Sequence, residues 1–230
     1  HRNIMTVYAL AEDQGRIFMA LEFLDGETLR ALVDREAPLP PKRAVELVNE
    51  VLAGLGHAHA NHVIHRDIKP DNVQILSDGV VKITDFGIAR LKTQENLTID
   101  GQVFGTPSYM SPEQIRGQDL DHRSDLFSVG VMLYEMLAGS KPFTGDSVIA
   151  ITHAILNAPP TPPAGISGGL WSVLLRSMDK TPSGRYQNAS DMARALEEAV
   201  RGPMTAVAPS APPVAAPASV IYDPYASPPA

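Results

Sequence analysis

The sequence predicts an α+β fold that opens with a β-hairpin and continues as a mainly helical body. Three observations carry this expectation. Two short strand-like runs, Ile4–Leu10 and Arg16–Leu24, come first, joined by the polar stretch Ala11–Gly15. Further along, apolar residues recur at helical spacing in several separate segments. Finally, Ser124–Leu137 is almost continuously apolar, as a helix buried on all sides must be.

Taken in order, Asp25-Gly26 closes the hairpin and Glu27–Arg35 reads as a short helix. Pro40-Pro41 then opens a longer one, since proline is tolerated in a first helical turn. Val45, Val48, Leu52 and Leu55 mark its apolar face, Glu46, Asn49 and Glu50 lie off it, and the pattern fades near Asn61. Val63–Leu76 is mixed, and the turn signal Asp78-Gly79 leads into a strand at Val80–Thr84. Leu91–Gly105 is polar and aperiodic, which predicts a mobile loop. Beyond the apolar helix, weaker helical patterns cover Ser147–Asn157, Gly169–Met178 and Asn188–Arg201. From Gly202 the chain is dominated by proline and alanine, with Asp223 its only charge, and it cannot bury enough surface to offset its ordering entropy. A disordered or polyproline-like tail over 202–230 is expected.

Composition narrows the function. Lys plus Arg number 19 against 26 Asp plus Glu, a net charge of −7, so no general phosphate-seeking field is available and a nucleic-acid partner is not expected. There is no cysteine, which excludes disulfides and thiolate metal sites. Ser128–Gly139 is the most apolar run, too short for a bilayer and carrying Glu135, so no membrane span is expected within the chain.

The chemistry-bearing residues cluster in three motifs. His65-Arg66-Asp67-Ile68-Lys69-Pro70-Asp71-Asn72 is followed by Asp85-Phe86-Gly87 and then by Ser111-Pro112-Glu113. In order and spacing they resemble the protein-kinase set of catalytic loop, metal-binding Asp-Phe-Gly and the Pro-Glu that ends the activation loop. Over about residues 1–200 the chain is similar to bacterial eukaryotic-like (Hanks-type) serine/threonine protein kinases. The resemblance implies a kinase-like fold and transfer of the ATP γ-phosphoryl to protein Ser/Thr hydroxyls with Mg²⁺. It implies Asp67 as the carboxylate that orients the attacking hydroxyl and takes its proton, and Lys69 as the cation on the transferring group. Asn72 and Asp85 become the oxygen ligands of the metal. Lys69 and Thr106, in Gly105-Thr106-Pro107, favour Ser/Thr over Tyr acceptors. Arg66 is implied to await a phosphate on the activation loop, with Thr98 the first candidate phosphosite and Thr93 a weaker one, while Asp100 offers part of the charge.

Further positions follow from the same resemblance. Glu22 and Leu24, in Leu21-Glu22-Phe23-Leu24, match the hinge whose backbone bonds adenine, and Leu21 matches the gatekeeper. Gln74 falls where the family places an apolar residue beneath adenine, a departure expected to weaken nucleotide binding. Glu113 is expected to pair with Arg185, and Asp125 to hold the catalytic-loop backbone. Met132 and Met136 would belong to an internal apolar column with Leu29, Val73 and Ile75. His57 and His59 point to different sides of a helix and read as helix-end histidines rather than metal ligands.

The chain contains no Gly-rich loop and no strand lysine for the α- and β-phosphates. The expected organisation is therefore a small-lobe remnant and hinge at 1–24, the catalytic lobe at 25–201, and the tail. Val7, Phe18 and Ala20 should lack cover. On this reading the chain is a truncated kinase of low activity, cytoplasmic, its parent anchored through a segment beyond residue 230, acting on protein substrates and self-associating for autophosphorylation. The alternative is a pseudokinase-like binding module. A small-molecule phosphotransferase shares an Asp…Asn loop but leaves Ser111-Pro112-Glu113 and Asp125 unexplained.

Overall fold

The computed structural model describes residues 1–86 and 107–202. Strands β1 (Val7–Asp13) and β2 (Arg16–Leu21) form an antiparallel hairpin. Ala11, Glu12 and Asp13 pair with Phe18, Ile17 and Arg16, so the turn contracts from the expected five residues to Gln14-Gly15. Both turn residues have positive φ, +49° and +75°, the backbone twist that a two-residue hairpin loop requires. Apolar side chains stand exposed on both faces: Val7 is 55% exposed, Phe18 52% and Ile17 72%.

A second sheet has the order β3 (Gly26–Thr28), β4 (Val73–Leu76), β5 (Val81–Ile83), all antiparallel. The helix expected from Glu27 starts two residues later, because 26–28 pair with β4 and Thr28 serves as the cap. Gly26 is required by that pairing: a Cβ there would lie 2.1 Å from the Ile75 carbonyl oxygen. The Thr28 hydroxyl accepts a hydrogen bond from the Ala31 amide at 3.1 Å and starts α1 (Leu29–Glu36), which buries Leu29, Leu32 and Val33.

Helix α2 (Pro41–Ala60) begins with Pro41 at its first position and buries Val45, Val48, Leu52 and Leu55, the face read from the sequence. A four-residue helix α3 (Pro112–Ile115) is opened by a Ser111/Gln114 capping box. Helix α4 (Arg123–Ala138) is buried throughout 124–137 and ends at Gly139, with φ +69°. Helices α5 (Val148–Asn157), α6 (Gly168–Ser177) and α7 (Ala189–Arg201) start at Ser147, Ser167 and Asn188, whose side-chain oxygens each accept the amide of the third helical residue.

The core is built around α4. Helices α2 and α6 pack against it, and α7 covers α2 and α6. Each fully buried Leu, Phe or Met contributes roughly 1.5–3 kcal/mol through loss of apolar surface from water. Close approach on one side depends on Gly130, where a Cβ would meet the Ser177 Oγ at 2.2 Å. Met132, Met136, Leu29 and Val73 all lie in this core, with Ile75 packed against it. No helix among the described residues is long and apolar enough to cross a membrane.

Candidate active site

Residues 65–72 form the loop between α2 and β4, and its backbone is held from below. Asp125, at the start of α4, accepts the His65 amide at 2.9 Å on one oxygen and the Arg66 amide at 2.8 Å on the other. The His59 ring nitrogen Nε2 donates to the same carboxylate at 2.7 Å. Asp125 is 1% exposed, so these donors replace the water that its charge has lost. Arg66 adopts φ +72°, a strained value for a non-glycine residue that this lattice of bonds sustains. Its carbonyl accepts from the Gln114 side chain at 2.7 Å, tying the loop to α3.

His65 is fully buried and fixes the loop to β5. Nε2 lies 2.8 Å from the Thr84 carbonyl and must carry the hydrogen, while Nδ1 accepts the Asp67 amide at 3.2 Å. The neutral ε-tautomer is the form that makes both bonds. Phe86 packs edge-on against the ring at 4.6 Å. Ile68 is buried completely beneath.

Three of the sequence-predicted residues meet above this floor. Lys69 Nζ lies 2.8 Å from the Asp67 carboxylate. Asn72 Nδ2 donates to the Asp67 carbonyl at 2.7 Å and to its carboxylate at 3.0 Å. Asp67 and Lys69 side chains are 43% and 33% exposed, open to an incoming molecule. The fourth, Asp85, follows Thr84, whose amide donates to the Asn72 carbonyl at 2.9 Å, so the β4–β5 hairpin delivers it beside the loop. Asp85 is exposed and has φ +59°.

The donor chemistry fits a hard divalent cation. Asn72 spends its amide nitrogen on Asp67, which leaves its amide oxygen as the atom able to ligate, and Asp85 carries an exposed carboxylate. Two protein oxygens suit Mg²⁺, which keeps water and substrate phosphates as its other ligands. Among the described residues there is no larger His/Asp/Glu cluster for a metal.

The expected partner of Glu113 is in place. Arg185, fully buried, donates to both carboxylate oxygens at 2.7 and 2.8 Å, and also to the Asp179 and Arg123 carbonyls. Burial pushes the Glu113 carboxyl up, but bonds from Arg185 and Ser124 outweigh it and hold the pKa at about 2. In the segment expected to serve as the hinge, Glu22 accepts the Thr6 amide at 3.0 Å and Lys82 at 2.9–3.0 Å, and these bonds hold its carboxyl below the usual range. Leu24 is half-buried and Phe23 is 88% exposed. Gln74 pairs with Thr28 and Lys82 across the sheet, and its buried Oε1 has no hydrogen-bond partner. Thr93, Thr98, Asp100, Thr106 and Gly87 lie outside the described residues, as does the loop expected at Leu91–Gly105.

Two features escaped the sequence reading. His59 supports Asp125 rather than sitting idle at a helix end; its place four residues after Leu55 continues the buried face. Glu135 takes both guanidinium arms of Arg30 at 3.1 Å and accepts the Tyr109 hydroxyl, which itself accepts from Arg30. Burial and the Glu135 charge push the Tyr109 phenol well above its ordinary range. A lone carboxylate in an apolar helix was the available signal, since such a charge needs a partner.

Comparison with known proteins agrees with the motif reading. The protein kinase domain family matches residues 1–191. The chain is 41% identical over 202 residues to serine/threonine-protein kinase PknB of Mycobacterium tuberculosis, covering 84% of this chain and 32% of that protein. It is 40% identical over 201 residues to PknB of Mycobacterium leprae, with the same coverage. To serine/threonine-protein kinase PknL of M. tuberculosis it is 37% identical over 201 residues, covering 86% of this chain and 50% of PknL. The chain thus spans about a third of the length of the PknB relatives and half that of PknL.

Proposed function

The chain belongs to the protein kinase family, in its bacterial Hanks-type branch, and from that premise we propose that it carries the catalytic lobe of a serine/threonine protein kinase using ATP and Mg²⁺. The observation that supports this most is the convergence of Asp67, Lys69 and Asn72 on one loop, with Asp85 delivered beside it. Asp67 orients a substrate Ser or Thr hydroxyl and accepts its proton as the oxygen attacks the γ-phosphorus and the bond to the bridging oxygen breaks, releasing ADP. Lys69 balances the negative charge gathered at that point. Asn72 and Asp85 would hold Mg²⁺, which supplies charge neutralisation of the phosphates. Glu22 and Leu24 offer the backbone for adenine. Arg66, with Thr98 and Thr93, supplies the phosphate-dependent control of the loop, and Thr106 is the residue assigned to the acceptor side. The substrates are proteins, and copies of the kinase phosphorylate one another.

The 230-residue chain assayed alone is nearly inactive on this reading, since it has no Gly-rich loop or strand lysine to cover the phosphates. The test compares phosphate transfer from ATP to a generic protein by this chain and by the whole gene product. Transfer by the whole product alone is expected; robust transfer by the short chain overturns the expectation that it is nearly inactive. A non-catalytic module is the second reading, favoured by the unpartnered Gln74 amide oxygen at the expected adenine floor. Nucleotide titration of the whole product with and without Mg²⁺ decides: no Mg²⁺-dependent binding would favour the module.

A further inference from the structure

Between α1, the catalytic loop and the segment before α3 lies a cavity of about 310 Å³, lined among others by Arg30, Arg66, Lys69 and Lys141 on one side of the charge balance and Asp67 and Asp71 on the other. Four cations against two carboxylates is unusual on a chain whose net charge is −7. The pairing inside the cavity sharpens the imbalance. Lys69 is matched by Asp67 at 2.8 Å. Arg30 is matched by Glu135 at 3.1 Å, by Asp34 at 3.0 Å and, more loosely, by Asp71 at 3.7 Å. Among the described residues the ion pairs of this region take in Arg30 and Lys69 and leave Arg66 and Lys141 without a carboxylate partner. Lys141 instead rests over the Tyr109 ring, 5.1 Å from its centre, and lines the same cavity as Asp67. Glu135, a buried carboxylate bonded to the lining residues Arg30 and Tyr109, is consumed by them and is not free to receive a basic side chain.

Resting on the kinase reading above, we infer that this cavity selects protein substrates with acidic side chains, carboxylate or phosphate, next to the accepting hydroxyl. A segment whose hydroxyl reaches Asp67 must lay its neighbours into this cavity, and there Lys141 and Arg66 offer charge-assisted donors that a neutral or basic neighbour leaves unused. Lys141 is the determinant that the phosphoryl-transfer machinery does not otherwise employ. The same chemistry could be supplied by a phosphorylated residue of the chain's own activation segment, so the source must be separated experimentally.

The test is fluorescence anisotropy on the phosphatase-treated 230-residue chain, which carries no phosphate of its own. The probes are labelled ten-residue peptides with one Thr flanked by Glu, by Gln or by Lys. The Glu peptide is expected to bind about fivefold more tightly than the Gln peptide, with a preference that weakens in high salt. Lys141→Gln should lower that ratio to about two, the part left to Arg66, and Lys141→Glu should remove it or invert it toward the Lys peptide, with circular dichroism confirming that both variants fold. Equal binding of Glu and Gln peptides, or a preference that survives Lys141→Glu, overturns the inference. A Glu preference that appears only after phosphatase treatment identifies the chain's own phosphate as a competitor for the same cavity and supports it. Phosphate transfer is measured separately on the whole gene product: its absence, with the peptide preference intact, counts against the kinase reading and leaves the selectivity standing.

Discussion

Replacing Arg185 by Met removes a guanidinium that is completely buried and bonded to both oxygens of Glu113. The magnitude follows from the carboxyl it serves. Glu113 has a pKa of about 2 in the folded chain against an ordinary 4.5, so its charge is favoured in the fold by about 3 kcal/mol. Losing the donors to the Asp179 and Arg123 carbonyls adds about 1 kcal/mol. Arg185→Met should therefore cost about 4 kcal/mol at pH 7, within the range for an orphaned buried charge. The pH dependence has a definite sign. A carboxyl with a depressed folded pKa contributes its full stability above the unfolded value, near pH 4.5, and loses it as pH falls toward 2. At pH 3 about 2 kcal/mol of the Glu113 contribution is gone, and the cost of Arg185→Met should shrink by the same amount. Urea unfolding followed by circular dichroism at pH 7 and pH 3, on both single variants and the Glu113→Gln/Arg185→Met pair, measures this. The double variant should cost less than the sum of the singles by at least ~2 kcal/mol. A loss under ~1 kcal/mol at pH 7, or one independent of pH, would refute the reasoning.

Other perturbations probe the supports of the site. His59→Ala takes one of three donors from the buried Asp125 carboxylate and should cost about 1–3 kcal/mol by urea unfolding, while raising hydrogen exchange at the His65 and Arg66 amides. Gly130→Ala forces a methyl against Ser177 where α4 meets α6 and should cost about 1–3 kcal/mol; a neutral outcome would mean that the two helices can separate freely. Thr28→Ala removes the α1 cap and should cost about 1 kcal/mol, with Thr28→Ser restoring most of it.

Much of the scaffold was legible because its physics is local. Periodicity located α2, and the almost continuously apolar run located α4, since a helix buried on every side has no polar stripe to confuse the pattern. The loop from His65 to Asn72 was legible because its residue types are dictated by charge at the reacting centre. What the chain kept hidden depends on pairing across distance. The hairpin turn could not be sized from composition, because Ala11 and Glu12 suit either a turn or a strand until Phe18 and Ile17 are placed opposite them. Thr28 as cap is equally silent, since β4 decides where the strand stops and α1 begins. The Arg30–Tyr109–Glu135 group joins residues 79 and 105 positions from Arg30, a separation over which sequence spacing carries no information. Gln74 was noticed as a departure, yet its unpartnered oxygen is a property of the packed sheet alone.

The proposal that these side chains perform phosphoryl transfer meets its most direct test in a single comparison. Transfer of γ-phosphate from ATP to a protein acceptor is measured with the whole gene product and its Asp67→Asn variant, alongside their Mg²⁺-dependent nucleotide binding. The account predicts phosphoserine or phosphothreonine formation that falls by about 10²–10⁴-fold in the variant while nucleotide affinity is kept. A variant that transfers phosphate at the parental rate would contradict it.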